Sequence, residues 1–514
     1  QCCISHFILL PIPIYSIFYS FSSFDLTVTM PVPAELVSIV GHDNIHILQF
    51  WDELTSEEKD EFSSQLRRID VMKAKEAFDS SANVRAPSPT NLSPVDDSHH
   101  IVRNNIKEFN QRQLKEKGMK AIANGQVAVL VLAGGQATRL GCDKPKGTIE
   151  LGLNLTENDS LLCLQAGKIM KLEHLAAELY PQLMPCIPWL VMTSRATEED
   201  TEDHLDKVMV THAMKGFKES SIRDVKESSK QIYLFSQDDI PAFDMDGKLV
   251  LSEKNRVATS PNGNGGVYSA LYPLLDELSK KGVKYIHVYC VDNILVKVAD
   301  PLMIGLAIEK NADCIAKAVK RENPNEKVGV ICMNEGKPTV VEYSELGDLA
   351  QRCLPDGSLE YRAGNIANHL FTLDFLKSFV TKDFHLPFHR AHKKIPFVDK
   401  NGKIVKTAQP NGIKLEQFVF DTFEKSKNFY ILEVNRNEEF SPLKNPDSVG
   451  TDCLSTCRRD IYNLHTSWLT CLGVEIEHKD KEEIKVAIKP SRSYDGEHLE
   501  EFVGNRIQNN FIIN

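Results

Sequence analysis

The chain contains no C-x-x-C pair among its 12 cysteines, no H-E-x-x-H string and no excess of positive charge. The first two absences remove the common zinc signatures. Cys453 and Cys457 are spaced as on neighbouring helical turns but have no second Cys or His pair nearby. His385, His389 and His392 are interrupted by Pro387, so neither cluster reads as a metal centre. Thiols scattered through apolar runs, such as Cys290 and Cys314, fit a reducing compartment and make the cytoplasm the expected location. With 60 basic against 71 acidic side chains the formal charge is -11. That balance argues against a nucleic-acid partner and requires any polyphosphate to be held by local cations. No stretch after Met30 is apolar for long enough to make a membrane helix, so no membrane partner is expected. Internal repeats are also lacking.

A length of 514 residues allows about three domains, or one large α/β domain with additions. Residues 1–29, apolar from Phe7 to Phe24 and broken by Pro11 and Pro13, are expected to be a non-native or disordered leader. Residues 30–120 read as a helical region. Thr55 and Glu58 there form a candidate capping box ahead of Phe62, Leu66 and Ile69 at helical spacing, and Pro87, Pro89 and Pro94 mark a loop before a helix near Ile106 to Ala123. From 121 to 430, strands such as Trp189 to Met192 and Tyr285 to Val291 alternate with helices such as Leu161 to Glu178 and Val267 to Leu278. This alternation predicts an α/β catalytic domain, its sheet mainly parallel with helices on both faces. Residues 431–514 read as a small β-rich region, with strands near 474–476 and 484–488.

The segment from Val127 to Gly147, VAVLVLAGGQATRLGCDKPKG, is the most informative. Val127 to Leu132 carries no polar side chain and alternates β-branched residues, as a strand covered on both faces does. Gly134 and Gly135 then remove side chains where a backbone must approach a base or phosphate closely, and Thr138 is placed to lead into a helix. Arg139 and Lys146 bring positive charge to the same mouth, with Pro145 stiffening the approach to Lys146. Neither the dinucleotide G-x-G-x-x-G nor the P-loop G-x-x-x-x-G-K-[ST] occurs here. A lone double glycine is equally a plain turn; the paired cations point to a polyanion site.

In a doubly wound sheet the ligand lies beyond the carboxyl ends of the strands. Asp292, ending the run from His287 to Val291, is therefore a candidate magnesium ligand, with capping of the next helix as its other reading. SPNGNGGV, from Ser260 to Val267, is a second glycine-rich turn whose amides can face a ligand. Glu342 and Tyr343 in VVEYSE and Asn365 in AGNIANH offer directional partners for sugar hydroxyls and an N-acetyl group, although surface residues look the same. Lys414, and Lys444 in FSPLKN, lie in segments where a lysine is ordinarily solvated, and Phe418 and Phe420 would ordinarily be core.

LAGGQATRLG…PKG resembles the signature of the sugar-nucleotide pyrophosphorylases, and its glutamine and RLG resemble the eukaryotic UDP-N-acetylglucosamine pyrophosphorylases in particular. The resemblance runs in order from Leu132 to Asp447 through PNGNGG, VDN, VEY, AGN, NGIKLEQFVFD and PLKN. It implies a Rossmann-like, GT-A-like nucleotidyltransferase that makes UDP-N-acetylglucosamine and pyrophosphate from UTP and an N-acetylhexosamine 1-phosphate, with magnesium or manganese as cofactor, as a monomer or homodimer. By the same likeness Arg139 and Lys146 are catalytic. Leu132, Ala133, Gly134, Gly135, Gln237, Gly263, Asn264, Gly265 and Lys444 hold the nucleotide, Gln237 reading the uracil edge. Asn264, Glu342, Tyr343, Asn365, Lys414, Phe418 and Phe420 hold the sugar phosphate, Gly364 leaves room for it, and Asp292 holds the metal. Two departures stand out: Ala137 replaces a glycine usual in the family, and Asp238, Asp239 and Ile240 differ from the family pattern. Alanine at a positive φ would cost about 1 kcal/mol; a negative φ is expected. N-acetylgalactosamine or glucose 1-phosphate as substrate, and a catalytically silent UTP-binding protein, are the alternatives.

Overall fold

Val127–Leu132 is a strand whose every residue is buried, and its alternation serves two cores. Val127, Val129 and Val131 pack with Ile122, Leu162, Ile169, Ile304 and Ile461. Ala128, Leu130 and Leu132 pack on the opposite face with Val267, Leu271, Leu275, Leu278 and Phe423. An unbroken apolar strand requires such cover on both faces. The computed structural model describes residues 32–84, 87–155, 159–212, 214, 231–478 and 483–514; the expected leader lies outside the described residues.

The strand belongs to an 11-stranded sheet. Across its main path the order is His100–Val102, Phe429–Val434, Cys314–Lys320, Ala363–Thr372, Tyr285–Cys290, Val127–Leu132, Trp189–Ser194 and Ile232–Gln237. Neighbours are parallel except the pairs made by Ala363–Thr372, so the sheet is mainly parallel, as expected. Register aligns the carboxyl ends: Leu132 lies opposite both Cys290 and Met192, and Ser194 opposite Gln237.

His100–Val102 already pairs with the sheet's Phe429–Val434 strand, ahead of residue 121 where the catalytic body was expected to begin. The Glu108–Ala123 helix lies so close to the Pro301–Lys310 helix that a Cβ on Gly118 would stand 1.9 Å from Pro301 O. The predicted helix from Val267 to Leu278 is divided: Val267–Leu271 and Leu275–Lys280 flank a 3₁₀ turn at Tyr272–Leu274, because Pro273 lacks the amide hydrogen a continuous helix needs.

The N-terminal helices include Ala34–Val40, Ser56–Arg68 and Val71–Ser81. The capping box closes, Thr55 N–H donating to Glu58 Oε2 at 2.8 Å and Glu58 N–H to Thr55 Oγ1 at 3.2 Å. The helices' core of Phe62, Leu66 and Phe78 takes in Phe243, Ile413 and Leu415 from the body. Residue 431 falls inside the main-sheet strand Phe429–Val434, and after it come a short helix, Arg436–Glu439, and an 18-residue helix, Leu454–Cys471, before any strand of the C-terminal region. Short strands follow in parallel pairs, Glu475–Glu477 with Arg506–Gln508 and Val486–Ile488 with Phe511–Ile513. No helix among the described residues is long and apolar enough to cross a membrane.

Candidate active site

Beyond Leu132 the chain does not enter the helix expected at Thr138. Thr138–Leu140 and Lys146–Thr148 are single 3₁₀ turns, and a regular helix starts only at Leu161. Gly141 adopts φ 80° and Pro145 has no amide hydrogen, so a helix cannot propagate between them. The loop folds back instead, with Ala137 N–H donating to Lys144 O and Lys146 N–H to Gly135 O, both at 2.9 Å. That closure sets Lys146 beside Gly135 and leaves Arg139 exposed. Ala137 has φ -86° and ψ 30° and is 1% exposed. The negative φ accommodates its methyl, as expected.

At the end of the Ile232–Gln237 strand, Gln237 is held between two glycines. A Cβ on Gly134 would lie 2.8 Å from Gln237 Nε2, and one on Gly266 would lie 2.9 Å from Gln237 Oε1. Gln237 Oε1, Ser260 Oγ and Asn262 Oδ1 are buried with no hydrogen-bond partner among the described residues. Buried polar atoms left unpaired are costly, and their convergence suits a ligand edge bearing donors and acceptors. The turn carrying them is clamped to the chain at Gln417: Gly265 N–H donates to Gln417 O at 2.9 Å. Gly263, at φ 90°, could not carry a Cβ, which would meet Gln417 O at 2.4 Å. Asn264 Oδ1 accepts from Val419 N–H at 2.9 Å.

These elements border a cleft of about 540 Å³. Leu132, Gly134, Gly135, Gln237, Gly263 and Asn264 line it with Met192, Ser260, Pro261 and Cys290; Lys393, Lys394, Lys414 and Glu416 form its other wall. Lys414 is on a strand, Gly412–Glu416. Ile413 and Leu415 are buried against the N-terminal helices, and alternation turns Lys414 and Glu416 toward the cleft. Burial, then the charge of Lys393, lowers the pKa of the Lys414 ammonium. Lys393 Nζ lies 3.4 Å from Glu416 Oε1. Lys393 and Lys394 were not among the expected site residues; the adjacent cations of HKKIPFVD are the signal for them.

The cations expected to hold phosphate lie on segments that converge on the strand end after Cys290. Lys146 Nζ is 3.5 Å from Asp292 Oδ2. Lys444 arrives on a segment laid against the same strand end, where Leu443 N–H donates to Asp292 O at 2.8 Å. Asn293, 3% exposed, clasps that segment. Its Nδ2 donates to Glu439 O at 2.7 Å and its Oδ1 accepts from Ser441 N–H at 2.9 Å. Burial pushes the Cys290 thiol up to about 12, Asp292 adds to the rise, and Lys444 and Lys146 oppose it.

Of the expected sugar-phosphate residues, Asn264 and Lys414 line that cleft, whereas Glu342, Tyr343, Asn365, Phe418 and Phe420 do not but lie on segments beside it. Asn365 N–H donates to Gly329 O at 2.8 Å, and Glu342 Oε1 lies 3.6 Å from the point a Cβ on Gly329 would occupy. Tyr343 follows on the same exposed turn. A Cβ on Gly364 would stand 3.0 Å from Val319 O, so a side chain there would be crowded. Phe418 and Phe420 stack at 5.0 Å and 14°. The turn Val419–Lys425 joins Asn264 on one side to the Lys337–Val341 strand, just before Glu342, on the other. His389 engages Asp421, with Nε2 3.0 Å from Oδ2.

A cleft over the carboxyl ends of parallel strands, between two glycine turns and a cluster of cations, defines a nucleotide-binding α/β protein. The chain belongs to the UTP-glucose-1-phosphate uridylyltransferase family, whose model matches residues 88–495. It is 48% identical over 479 residues to the "Probable UDP-N-acetylglucosamine pyrophosphorylase" of Caenorhabditis elegans, covering 93% of this chain and 95% of that protein. It is 36% identical over 473 residues to the UDP-N-acetylglucosamine pyrophosphorylase of Saccharomyces cerevisiae, covering 88% and 94%. The crystal structure of the uridine diphosphate N-acetylglucosamine pyrophosphorylase of Trypanosoma brucei, in complex with an inhibitor, matches with TM-score 0.76 and 28% identity, covering 91% of this chain and 94% of that one.

Proposed function

We propose that the protein is a uridylyltransferase forming UDP-N-acetylglucosamine and pyrophosphate from UTP and N-acetylglucosamine 1-phosphate. The observation that carries this reading is the strand-end cleft itself. Unpaired Gln237 and Ser260 atoms belong to its lining, and Lys146 pairs with Asp292 at the strand end against which the Lys444 segment is laid. The first group suits a uracil edge and the second a triphosphate.

A phosphate oxygen of the sugar 1-phosphate attacks the α-phosphorus of UTP. The new phosphorus–oxygen bond forms as the α-phosphorus separates from the oxygen bridging to the β-phosphorus, and pyrophosphate leaves. No side chain is covalently modified. Both reactants are anions, so catalysis lies mainly in alignment and in neutralising charge that builds on the bridging and leaving oxygens. Lys146 and Arg139 supply that charge from the glycine loop, Lys444 from the clasped segment, and Lys414 from the facing wall. Asp292 fits magnesium or manganese, because a carboxylate fixed at a strand end is the one or two protein ligands such an ion usually takes beside phosphate oxygens. When bound, the ion shields the triphosphate. Asn365 and Glu342 favour an N-acetylated sugar. The described cysteines are free, which suits a cytoplasmic location.

Pyrophosphate release by the purified protein with UTP and magnesium, offered N-acetylglucosamine, N-acetylgalactosamine and glucose 1-phosphates in parallel, tests the proposal. Preference for the first is expected. Preference for another redraws the sugar site, and silence with all three in protein that binds UTP overturns the catalytic reading.

A further inference from the structure

Asn365 and His369 share the Ala363–Thr372 strand, and between them the backbone is irregular. Ala367 has φ 50°, and the register against Cys314–Lys320 slips between Ala316 and Ala318. A non-glycine residue held in the left-handed region is a strained feature that proteins keep chiefly where function needs it. The bulge turns Ala367 N–H onto Asn365 Oδ1 at 3.1 Å. A backbone N–H only donates, so the side-chain atom facing it is the amide oxygen.

His369 Nε2 lies 3.1 Å from the same oxygen and must therefore carry a proton. Its ring is fully buried; burial, then His287, lowers its pKa to about 3. The neutral ring has one proton, at Nε2, and its Nδ1 is buried without a partner among the described residues. With its oxygen engaged twice, Asn365 keeps the hydrogens of Nδ2 for something outside the protein.

We propose that His369 is a positioning residue for sugar selection: its Nε2–H holds the Asn365 amide so that the NH₂ group, not the carbonyl, faces the sugar. A donor at that place matches the carbonyl oxygen of an N-acetyl group, which a hexose without the acetyl does not possess. The inference rests on the substrate reading above and adds the residue that sets the polarity of its recognition.

The test is kcat/KM for N-acetylglucosamine 1-phosphate and for glucose 1-phosphate in the parent, His369→Gln, His369→Leu and Asn365→Asp proteins. The ratio of the two should fall about tenfold in His369→Leu, the scale of one hydrogen bond to a ligand. His369→Gln, which restores an N–H near Nε2, should keep the ratio within about threefold. Asn365→Asp leaves the buried core untouched and turns an oxygen to the sugar carbonyl, so it should lose the ratio as well. KM for UTP should not move in any variant. If Asn365→Asp keeps the ratio, the carbonyl end faces the sugar and the inference fails. It fails equally if His369→Leu loses activity on both sugars alike. A parent without the N-acetyl preference overturns the substrate reading, and the inference with it.

Discussion

Replacing Lys146 with alanine removes a cation from the place where triphosphate charge must be held. In the free protein Lys146 Nζ stands 3.5 Å from Asp292 Oδ2, with the side chains 19% and 17% exposed. Unit charges at that spacing and an effective dielectric near 20 interact by about 5 kcal/mol, less what partial exposure screens away. Only the part of such an interaction that is stronger in the transition state accelerates the reaction. For one preorganised donor that part is about 3–4 kcal/mol, a loss of turnover of about a hundredfold to a thousandfold. The fold should survive, because the loop is closed by Lys146 N–H to Gly135 O, which alanine retains. The assay is pyrophosphate release at saturating UTP and sugar phosphate, with the unfolding temperature measured alongside. Lys146→Arg, keeping the charge on a bulkier group, should fall between parent and alanine variant. Freed of its partner, Asp292 in Lys146→Ala should bind magnesium no more weakly than before. A folded Lys146→Ala protein with turnover within about threefold of the parent would refute the assignment of Lys146 to the reaction.

Gly263→Ala should raise KM for UTP and cut kcat/KM by about a hundredfold or more, because its Cβ meets Gln417 O at 2.4 Å and its φ is 90°, forcing the turn proposed to bind the base away from its clamp; unchanged kinetics would show that the turn does not bind the nucleotide. Ala137→Gly should leave turnover within about twofold and lower stability by at most about 1 kcal/mol, since φ is already -86°; a large gain in turnover would mean that the alanine impairs the loop. For pH, burial alone would raise the Asp495 carboxyl, but Lys297 and Lys115 outweigh it and hold it at about 2. The folded value lies below the unfolded one near ~3.9, so the stability it adds is complete above about pH 4 and is lost as pH falls toward 2, at most about 2.5 kcal/mol. Urea midpoints from pH 6 down to pH 3 should therefore converge for parent and Asp495→Asn, and a constant gap would contradict the ion pairing.

What could be read from the chain divides by the range of the interactions involved. Val127–Leu132 declared itself because burial on both faces leaves a purely local mark, six apolar residues in succession. The capping box at Thr55 was equally local. The helix expected at Thr138 failed because Gly141 and Pro145 act together with a loop closure that only the folded chain reveals. Lys414 could not be placed on a face until the N-terminal helices, far away in sequence, were seen to bury Ile413 and Leu415. Asn293 and His369 lie within quoted strings, VDN and AGNIANH, but nothing in those strings marks what their side chains do. Their roles depend on which backbone groups the fold brings to their side chains, the 439–441 segment for one and the bulge at Ala367 for the other.

The same dependence links the C-terminal region to the reaction. Glu439, whose carbonyl Asn293 holds, is itself buried and pairs through its carboxylate with Lys317, which also meets Asp300 at 2.6 Å. Lys297 lies beside Glu439 and is bound at 2.7 Å by Asp495, a residue of the C-terminal region. Breaking one partner out of a buried ionic network leaves an uncompensated charge and typically costs about 3–5 kcal/mol. The segment from Glu439 to Lys444 is thus fixed at its start by charge and along its length by Asn293. The backbone that carries Lys444, tied to Asp292 O through Leu443 N–H, therefore has little freedom left to lose on meeting a phosphate, which is the condition under which a lysine, ordinarily a mobile point charge, can contribute to alignment as well as to attraction.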